Sequence, residues 1–205
     1  PQFTEAWDFN KSLAMVDKGG AAGYINKKGE FGNGGQFIPW DYNEGLAGAQ
    51  RNGKAGYINK QGKFVIEPQF DWTGPFSEGL AVVKINNEHG YIDKKGKIVI
   101  QPQFFFAFTF HEGLARIWQT VGSKLGYINK QGEVVIQPQF DVAFDFYEGL
   151  AAVKKDGQWG YINKQGEFII EPQFDEAGSF KEGTAYIKRN GKIGYILNPL
   201  NAKAI

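Results

Sequence analysis

Two histidines are the residues of this chain best suited to metal binding or acid–base chemistry. They are His89 and His111, and the chain has no cysteine. A zinc site needs several nitrogen, sulfur or carboxylate ligands, which commonly come from closely spaced positions. Neither histidine has a second histidine at such a spacing, and no carboxylate cluster stands beside either one. The sequence therefore predicts no metal site, and we interpret both histidines as turn or loop residues.

Other kinds of catalytic residue give no unique constellation. There is no Gly-x-Ser-x-Gly motif and no thiol nucleophile. The glycine-rich segment at residues 32–37 is not followed by a helix start or by Gly-Lys-Ser/Thr, so we interpret it as a degenerate strand. Glycoside hydrolysis uses a pair of carboxylic acids, but acidic residues recur in every repeat and the sequence distinguishes no particular pair. The sequence predicts a protein that is not an enzyme and has no cofactor.

The charge balance and the apolar runs exclude two classes of partner, nucleic acids and membranes. The chain has 205 residues, with 23 basic and 22 acidic side chains. This balance gives no electrostatic footprint for nucleic acid. No apolar run approaches the roughly 20 residues that a membrane span needs, so we expect a soluble chain without membrane insertion. Because it begins at Pro1 without methionine, we expect a processed form or part of a longer protein.

All of these side chains are carried by a unit of about 34 residues that is repeated six times. The central glutamine of the Pro-Gln-Phe motif recurs as Gln2, Gln36, Gln69, Gln103, Gln139 and Gln173. The tyrosine of a Gly-Tyr motif recurs in phase as Tyr24, Tyr57, Tyr91, Tyr127, Tyr161 and Tyr195. We therefore predict a single repeat domain over residues 1–205, with units at about 1–34, 35–67, 68–101, 102–137, 138–171 and 172–205.

Each unit has the pattern of a three-stranded antiparallel meander followed by a long loop. Asn52-Gly53, Asp156-Gly157 and Asn190-Gly191 are typical of tight two-residue hairpins. Asn-Lys-Gln-Gly turns precede a β-branched third strand, and we expect Pro68 and its equivalents to end that strand. The fold class is therefore all-β, with about eighteen short strands and no long helix.

A sheet this small cannot bury a core alone, so the repeats must stack. We expect the Gly-Tyr tyrosines and two recurring rows of aromatic residues to fill the layers between repeats. The rows are Phe3, Phe37, Phe70, Phe104, Phe140 and Phe174, and Phe9, Tyr42, Phe76, Phe110, Phe146 and Phe180. The glutamate of the recurring Glu-Gly-Leu-Ala motif is expected to accept backbone N–H bonds. The strands do not decide between an open twisted array and a closed propeller-like toroid.

The combined motif resembles the WG-containing repeat family of bacterial proteins, also called KWG repeats. The segment GQWGYINKQGEFIIEPQFDEAGSFKEGTAYIK at residues 157–188 carries the resemblance, which covers essentially the whole chain. Only Trp159-Gly160 has the name-giving dipeptide; the equivalent places hold Ala22, Ala55, His89, Leu125 and Ile193. The resemblance implies an all-β repeat, often on secreted or envelope-associated proteins, and no common catalytic residues.

Five aromatic residues break the repeat and are the candidate partner-binding residues. They lie in successive copies of the long loop and are Trp72, Phe105, Phe106, Phe108 and Phe144. Variable positions on a repeat scaffold commonly form its binding face, although these rings could equally thicken the core between repeats.

The nature of the partner has three alternatives. Phenylalanine clusters without a polar group favour another protein or a second copy of this chain. A glycan is the alternative, since Trp72 lies beside Asp71 and Trp118 lies near Arg116. The third is a spacer without a ligand. We favour a non-catalytic scaffold for protein–protein interaction.

Overall fold

The computed structural model describes residues 2–10, 13–17, 22–29 and 42–201. Within these ranges it contains 21 β-strands and one three-residue 3-10 helix, Pro199–Asn201. The prediction of an all-β chain without long helices is therefore confirmed. Among the described residues, no helix has the length and apolar character needed to cross a membrane.

Six antiparallel sheets follow one another along the chain. The first ten strands are β1 (Glu5–Asn10), β2 (Leu13–Asp17), β3 (Ala22–Asn26), β4 (Ala47–Arg51), β5 (Lys54–Ile58), β6 (Phe64–Phe70), β7 (Trp72–Ser77), β8 (Leu80–Ile85), β9 (Glu88–Asp93) and β10 (Ile98–Phe104). The others are β11 (Phe106–Ala107), β12 (Leu114–Trp118), β13 (Leu125–Asn129), β14 (Val134–Phe140), β15 (Val142–Ala143), β16 (Ala151–Lys155), β17 (Gln158–Ile162), β18 (Phe168–Phe174), β19 (Glu176–Ala177), β20 (Thr184–Arg189) and β21 (Lys192–Leu197).

The strands form sheets of three or four in sequence order. The described strands make the sheets β1–β3, β4–β6, β7–β10, β11–β14, β15–β18 and β19–β21. Contacts between residues divide the chain into two compact units, unit 1 (Pro1–Pro102) and unit 2 (Gln103–Ile205).

The predicted hairpin turns are present where Asn-Gly and Asp-Gly occur. Asp156 and Gly157 have φ values of 51° and 84°, and they connect β16 to β17 with Lys155 opposite Gln158. Two consecutive positive φ values define the tight turn whose twist matches that of the flanking strands. Asn52-Gly53 and Asn190-Gly191 adopt the same conformation. The predicted meander is thus fixed by local turn chemistry.

The long loop contains a further short strand that the sequence did not reveal. In unit 2, β11 pairs with β12 through Phe106 opposite Trp118 and Ala107 opposite Ile117. The strands β7, β15 and β19 occupy the same place in their sheets. Complete sheets therefore have four strands, with the predicted three-stranded meander as their larger part.

The expectation that proline ends the third strand of the meander is wrong. The strand β14 continues through Pro138 to Phe140, and β18 continues through Pro172 to Phe174. Both strands lie at the outer edge of their sheets, where a residue without an N–H does not interrupt a further strand. Their pairing also shifts register across the segment that contains the proline. Edge position and irregular register together make the proline compatible with the strand.

The core lies between successive sheets, as predicted from the repeated aromatic residues. In unit 2, Tyr127 and Phe140 of one sheet pack with Phe146 and Val153 of the next, and all four are buried. The Tyr127 hydroxyl donates to the Phe144 carbonyl at 2.7 Å. Burial raises the pKa of Tyr127 well above its usual value of 10.0, which keeps the phenol neutral as a donor. In unit 1, Tyr57 makes the same bond to Gly74.

Some residues of the predicted layers differ from this pattern or cannot be compared with it. Tyr195 of the last repeat is 74% exposed, so its predicted burial is wrong. No described sheet follows it to cover the ring. Phe3 is half-buried. The side chains of Phe9 and Tyr24, together with Phe37 and residues 32–37, lie outside the described part of the chain.

The recurring glutamates bind backbone amides of the next repeat, as predicted. In unit 2, the Gly149 N–H donates to Glu112 at 3.0 Å, and the Gly183 N–H donates to Glu148 at 3.0 and 3.1 Å. In unit 1, Glu44 accepts from Gly79 and pairs with Lys94 at 2.9 Å. Each glutamate itself has a positive φ and forms a hairpin turn with the glycine that follows it. These carboxylates connect neighbouring sheets.

Candidate interaction surface

Four of the five candidate aromatic residues lie in unit 2, at the start of its first two sheets. Phe106 is on β11, Phe105 and Phe108 flank that strand, and Phe144 comes directly after β15. Phe105 is 42% exposed, and the other three are half-buried. We call Phe105, Phe106, Phe108 and Phe144 the aromatic surface. The fifth residue, Trp72, lies in unit 1.

Trp72 packs within its own sheet in unit 1. Its indole lies edge-on to His89, with ring centroids 6.2 Å apart, and the tryptophan is half-buried. The ring also lies over Gly74, where a Cβ atom would stand 3.1 Å from the indole. Glycine at this position therefore lets the indole lie close to the backbone. Packing accounts for Trp72 without a ligand.

Phe106 and Phe108 contact each other and the neighbouring strand β12, whereas the Phe144 ring packs on Trp159 of β17, with centroids 5.0 Å apart. Phe106 lies opposite Trp118, with ring centroids 6.1 Å apart, and Phe106 and Phe108 are 5.0 Å apart at a steep angle. The Arg116 guanidinium stacks over the Phe108 ring at 3.9 Å. Edge-to-face rings and a cation over a ring are both favourable geometries. These contacts fix the rings in defined positions.

Arg116 also connects this sheet to the next one. Its Nε and one terminal nitrogen donate to the two oxygens of Asp145 at 2.7 and 3.2 Å, and the other terminal nitrogen donates to the Ala143 carbonyl at 2.9 Å. Both charged side chains are largely buried. A two-pronged arginine–carboxylate pair is among the stronger polar contacts in proteins. Arg116 therefore fixes β12 against the segment of the next sheet that carries Phe144.

His111 and Tyr147 form an additional part of this region that the sequence did not indicate. The histidine Nε2 lies 3.2 Å from Thr109 Oγ1 and 3.6 Å from an Asp145 oxygen. The two rings are 5.3 Å apart, and Tyr147 is 40% exposed. Both residues precede the Glu-Gly pair in successive repeats, so the repeat alignment was the signal that could have found them. Their contact follows from stacking equivalent hairpins.

The polar groups proposed for glycan binding already have partners within the protein. Asp71, beside Trp72, accepts from Lys54 at 2.6 Å and from the Asn86 N–H at 2.8 Å. These two bonds lower the pKa of the Asp71 carboxyl, Lys54 contributing most. Arg116 is engaged by Asp145 and by the Ala143 carbonyl. Asp71 and Arg116 are therefore less available to bind sugar hydroxyls than the sequence indicated.

The described part of the chain contains no group of three or more metal-binding side chains close enough to hold an ion. The Nε1 atom of Trp118 is buried without a hydrogen-bond partner in these same ranges. A burial of this kind usually costs free energy, and we have no physical account of it.

Comparison with known proteins identifies a repeat family and distant structural neighbours. The family model described as the WG containing repeat matches residues 1–20, 56–88, 90–117, 126–159 and 159–192. No curated protein matches the chain in sequence.

Several solved structures align with most of the chain at low identity. A streptogramin B lyase is 14% identical, with 97% of this chain and 81% of that chain covered and a TM-score of 0.44. Virginiamycin B lyase from Staphylococcus aureus is 13% identical, with 95% and 83% covered and a TM-score of 0.46. An extracellular domain of a one-component system from B. thetaiotaomicron is 11% identical, with 96% and 35% covered and a TM-score of 0.43. Similarity at this level carries no inference about function.

The family assignment depends on the repeat motifs themselves. The matched segments cover more than half of the chain, and they contain the Gly-Tyr and Pro-Gln-Phe motifs that form equivalent strands in successive sheets. The chain belongs to the WG-containing repeat family.

Proposed function

We propose that this repeat scaffold binds another protein chain through the aromatic surface of unit 2 and that it catalyses no reaction. The observation that carries the proposal is the arrangement of Phe105, Phe106, Phe108 and Phe144. One ring is exposed and three are half-buried, at the start of two sheets that Arg116 connects. Preformed aromatic side chains of this kind are typical anchors of protein interfaces.

The chemistry of the surface favours a protein over a glycan. A sugar site combines an aromatic face with polar groups that can bind hydroxyls. Here the nearest charged groups, Arg116 and Asp145, bind each other at 2.7 Å. The four rings are phenylalanines and offer no hydroxyl or N–H of their own. An apolar side chain of a partner protein fits this surface better than a carbohydrate does.

The surroundings of the acidic residues support the non-catalytic part of the proposal. Glu112 and Glu148 accept backbone N–H bonds across the sheets, and Glu112 also pairs with Lys164 at 3.1 Å. Carboxylates engaged in this way stabilise the scaffold. We expect screens on peptides, esters, phosphates and glycans to detect no turnover. Turnover that is abolished by substitution of one acidic residue would contradict the proposal.

The partner can be identified by site-specific crosslinking. A photoreactive phenylalanine at position 105 should capture a protein partner from extracts of the source cells. The same residue at position 135 is the matched control, because Val135 is 41% exposed and lies on β14, at the edge of the sheet opposite β11. Labelling only at position 105 would identify the partner, whereas equal labelling at both positions would contradict a specific site.

Binding of the identified partner should then depend on the exposed ring. Phe105→Ala should weaken the affinity by about 30-fold, which corresponds to the roughly 2 kcal/mol of an interface anchor. Val135→Ala, at the opposite edge of the sheet, should leave the affinity unchanged. A glycan array is the second measurement, and a glycan signal lost in Phe105→Ala would replace the protein by a carbohydrate. Dimerisation lost in the same variant would identify the partner as a second copy.

A further inference from the structure

Two hairpin turns of the described chain contain the pair Asn-Gly, which is chemically reactive. They are Asn52-Gly53 in unit 1 and Asn190-Gly191 in unit 2, and all four residues are exposed. Asparagine is thermolabile because the backbone nitrogen of the next residue can attack its side-chain amide. Glycine as the next residue has no side chain to obstruct that attack. A third pair, at residues 33–34, lies outside the described part of the chain.

The two turns are a matched pair in sequence and in backbone conformation. Residues 51–54 and residues 189–192 both read Arg-Asn-Gly-Lys. In both turns the arginine lies opposite the lysine in paired strands. The asparagines have φ values of 54° and 51°, and the glycines have φ values of 74° and 73°. Local sequence, exposure and backbone conformation therefore do not distinguish the two turns.

The glycine N–H groups of the two turns have different surroundings. The Gly191 N–H donates to a carboxylate oxygen of Asp175 at 3.2 Å. In another turn of unit 1, Asp71 likewise accepts the Asn86 N–H at 2.8 Å. Among the residues that the structure describes, the Gly53 N–H has no such acceptor. The potential nucleophile is thus held in one turn and available in the other.

The repeat alignment accounts for this difference. Asp175 directly follows Phe174, the phenylalanine of the Pro-Gln-Phe motif. In the repeat that contains Asn52, the equivalent Phe37 is followed by Ile38. An isoleucine side chain has no hydrogen-bond acceptor. The second repeat therefore lacks the carboxylate that protects the glycine N–H in the last one.

Two ion pairs flank the Asn52 turn without replacing this protection. Arg51 pairs with Glu67, and Lys54 pairs with Asp71. These side chains are exposed, and exposed pairs contribute little to stability. Neither pair engages the Gly53 N–H, so the nitrogen stays available.

The reaction that follows from this geometry is the loss of ammonia from asparagine. The glycine nitrogen gives its proton to water or hydroxide and forms a bond to the asparagine Cγ, and the side-chain nitrogen leaves as ammonia. The product is a five-membered succinimide. Water then opens this ring at either carbonyl, which yields aspartate or isoaspartate. The reaction consumes only water.

The Asp175 carboxylate opposes this reaction in two ways. It binds the proton whose loss starts the reaction, and its negative charge disfavours a negatively charged nitrogen beside it. It also stabilises the closed turn, whereas ring closure requires the turn to open locally. The Gly53 nitrogen has neither restraint from a described residue.

We propose that Asn52 is a site of spontaneous deamidation and isoaspartate formation, and that Asp175 protects Asn190 in the matching turn. Isoaspartate adds a carbon atom to the main chain of a two-residue turn. The pairing of Arg51 with Lys54 then no longer fits, and the hairpin of β4 and β5 opens at this end. This site lies in unit 1 and is independent of the aromatic surface.

Peptide mapping by mass spectrometry tests the proposal on the unaltered full chain, incubated at mildly alkaline pH. Deamidation at Asn52 should be about tenfold faster than at Asn190, which is the rate factor of a hydrogen bond to a charged group. Isoaspartyl methyltransferase should label the fragment that contains residue 52. The chain in denaturant is the matched control, because its two Arg-Asn-Gly-Lys segments should react at similar rates.

Two carboxylate variants locate the protection. Asp175→Ala should raise the deamidation rate at Asn190 to about that at Asn52 and leave Asn52 unchanged. Asp141→Ala is the matched control, since Asp141 accepts the backbone N–H of Asp156 in a turn without asparagine. That variant should leave both asparagines unchanged.

Three results would overturn the proposal. The first is an equal rate at Asn52 and Asn190 in the folded chain. The second is an intact Asn52 after a time in which the denatured chain has reacted. The third is a folded Asp175→Ala variant in which Asn190 reacts as slowly as before.

Discussion

The last two sheets of unit 2 carry nearly the same sequence in different surroundings. In the sheet β15–β18, Tyr161 is fully buried, whereas its equivalent Tyr195 in β19–β21 is 74% exposed. Trp159 is buried, and its equivalent Ile193 is exposed. The two sheets differ because another repeat packs on the first, whereas no described repeat packs on the second. Burial in this protein is therefore a property of neighbouring repeats, as expected for a linear array of nearest-neighbour contacts.

The largest difference between the two sheets should appear when a covered ring is removed. Phe146 of the sheet β15–β18 is fully buried, and its ring centroid lies 5.0 Å from that of Tyr127 in the preceding sheet. Phe146→Ala should lower the free energy of unfolding by about 3–5 kcal/mol. Tyr195→Ala should change it by less than about 0.5 kcal/mol, as for other exposed positions. Denaturant melts measure both, and similar losses would show that the β21 face is covered in solution.

Glycines at equivalent places, Gly160 opposite Val153 and Gly194 opposite Ile187, should give the next largest difference. Gly160→Ala places a methyl 2.5 Å from a backbone oxygen of β18 and should cost about 1–3 kcal/mol through overpacking. Gly194→Ala meets no such atom and should leave the melting temperature unchanged. Thermal unfolding of the two variants provides the comparison. Destabilisation by both would mean that a strand already occupies the edge of β21.

Removal of one hydroxyl should have a smaller effect. The Tyr161 hydroxyl donates to the Gly178 carbonyl of the next sheet at 2.9 Å. Tyr161→Phe leaves that carbonyl without this donor and should cost about 0.5–1.5 kcal/mol. Tyr195 makes no such bond to a following repeat within the described residues, so Tyr195→Phe is the control. Equal stabilities of the two variants would show that the bond contributes nothing measurable.

Acid should affect the two sheets alike and only slightly. The Lys124 side chain lowers the pKa of Asp141 beside β15, and Lys188 lowers that of Glu176 in β19, from ordinary values of 3.8 and 4.5. A lowered carboxyl pKa stabilises the fold above the unfolded value, and this contribution disappears as the pH falls through the folded value. Melting temperatures should therefore decline only below about pH 4.5.

Asp141→Asn and Glu176→Gln test this acid dependence directly. Each variant should remove a small and similar part of the decline, because both ion pairs are exposed and such pairs contribute little. If one variant removed a much larger part of the acid-induced fall in melting temperature than the other, the two sheets would differ in charge as well as in burial.

The sequence predicted the elements that depend on local chemistry. Asp156-Gly157 identified a tight hairpin because few residue pairs accept two positive φ values. The repeated tyrosines identified the core because a three-stranded sheet needs a neighbour to bury them. The short strands β11 and β15 have two residues each and no periodic pattern of their own, so the sequence could not reveal them. Pro138 was misinterpreted because edge position is not visible in sequence.

The candidate surface was only partly predictable for a similar reason. Phe105, Phe106, Phe108 and Phe144 were found because they interrupt the repeat. The partial burial of Phe106 and Phe108 depends on Trp118 and Arg116 of the paired strand, and that of Phe144 depends on Trp159. The contact between His111 and Tyr147 joins two repeats and requires the stacking to be known. Sequence therefore indicated which residues are unusual, and the structure placed them.

The bond between glutamate and glycine has a consequence for how such a chain can change in length. Each repeat with the Glu-Gly pair carries an acceptor for the following repeat and a donor for the preceding one, as Glu112 with Gly149 and Glu148 with Gly183 demonstrate. Duplication of one whole repeat therefore reproduces both halves of every junction at once. Gain or loss of a partial repeat would leave a carboxylate or an amide unmatched. Gene duplication in whole units is thus the change this architecture accepts, and the near-identity of residues 56–71 and 160–175 is its expected trace.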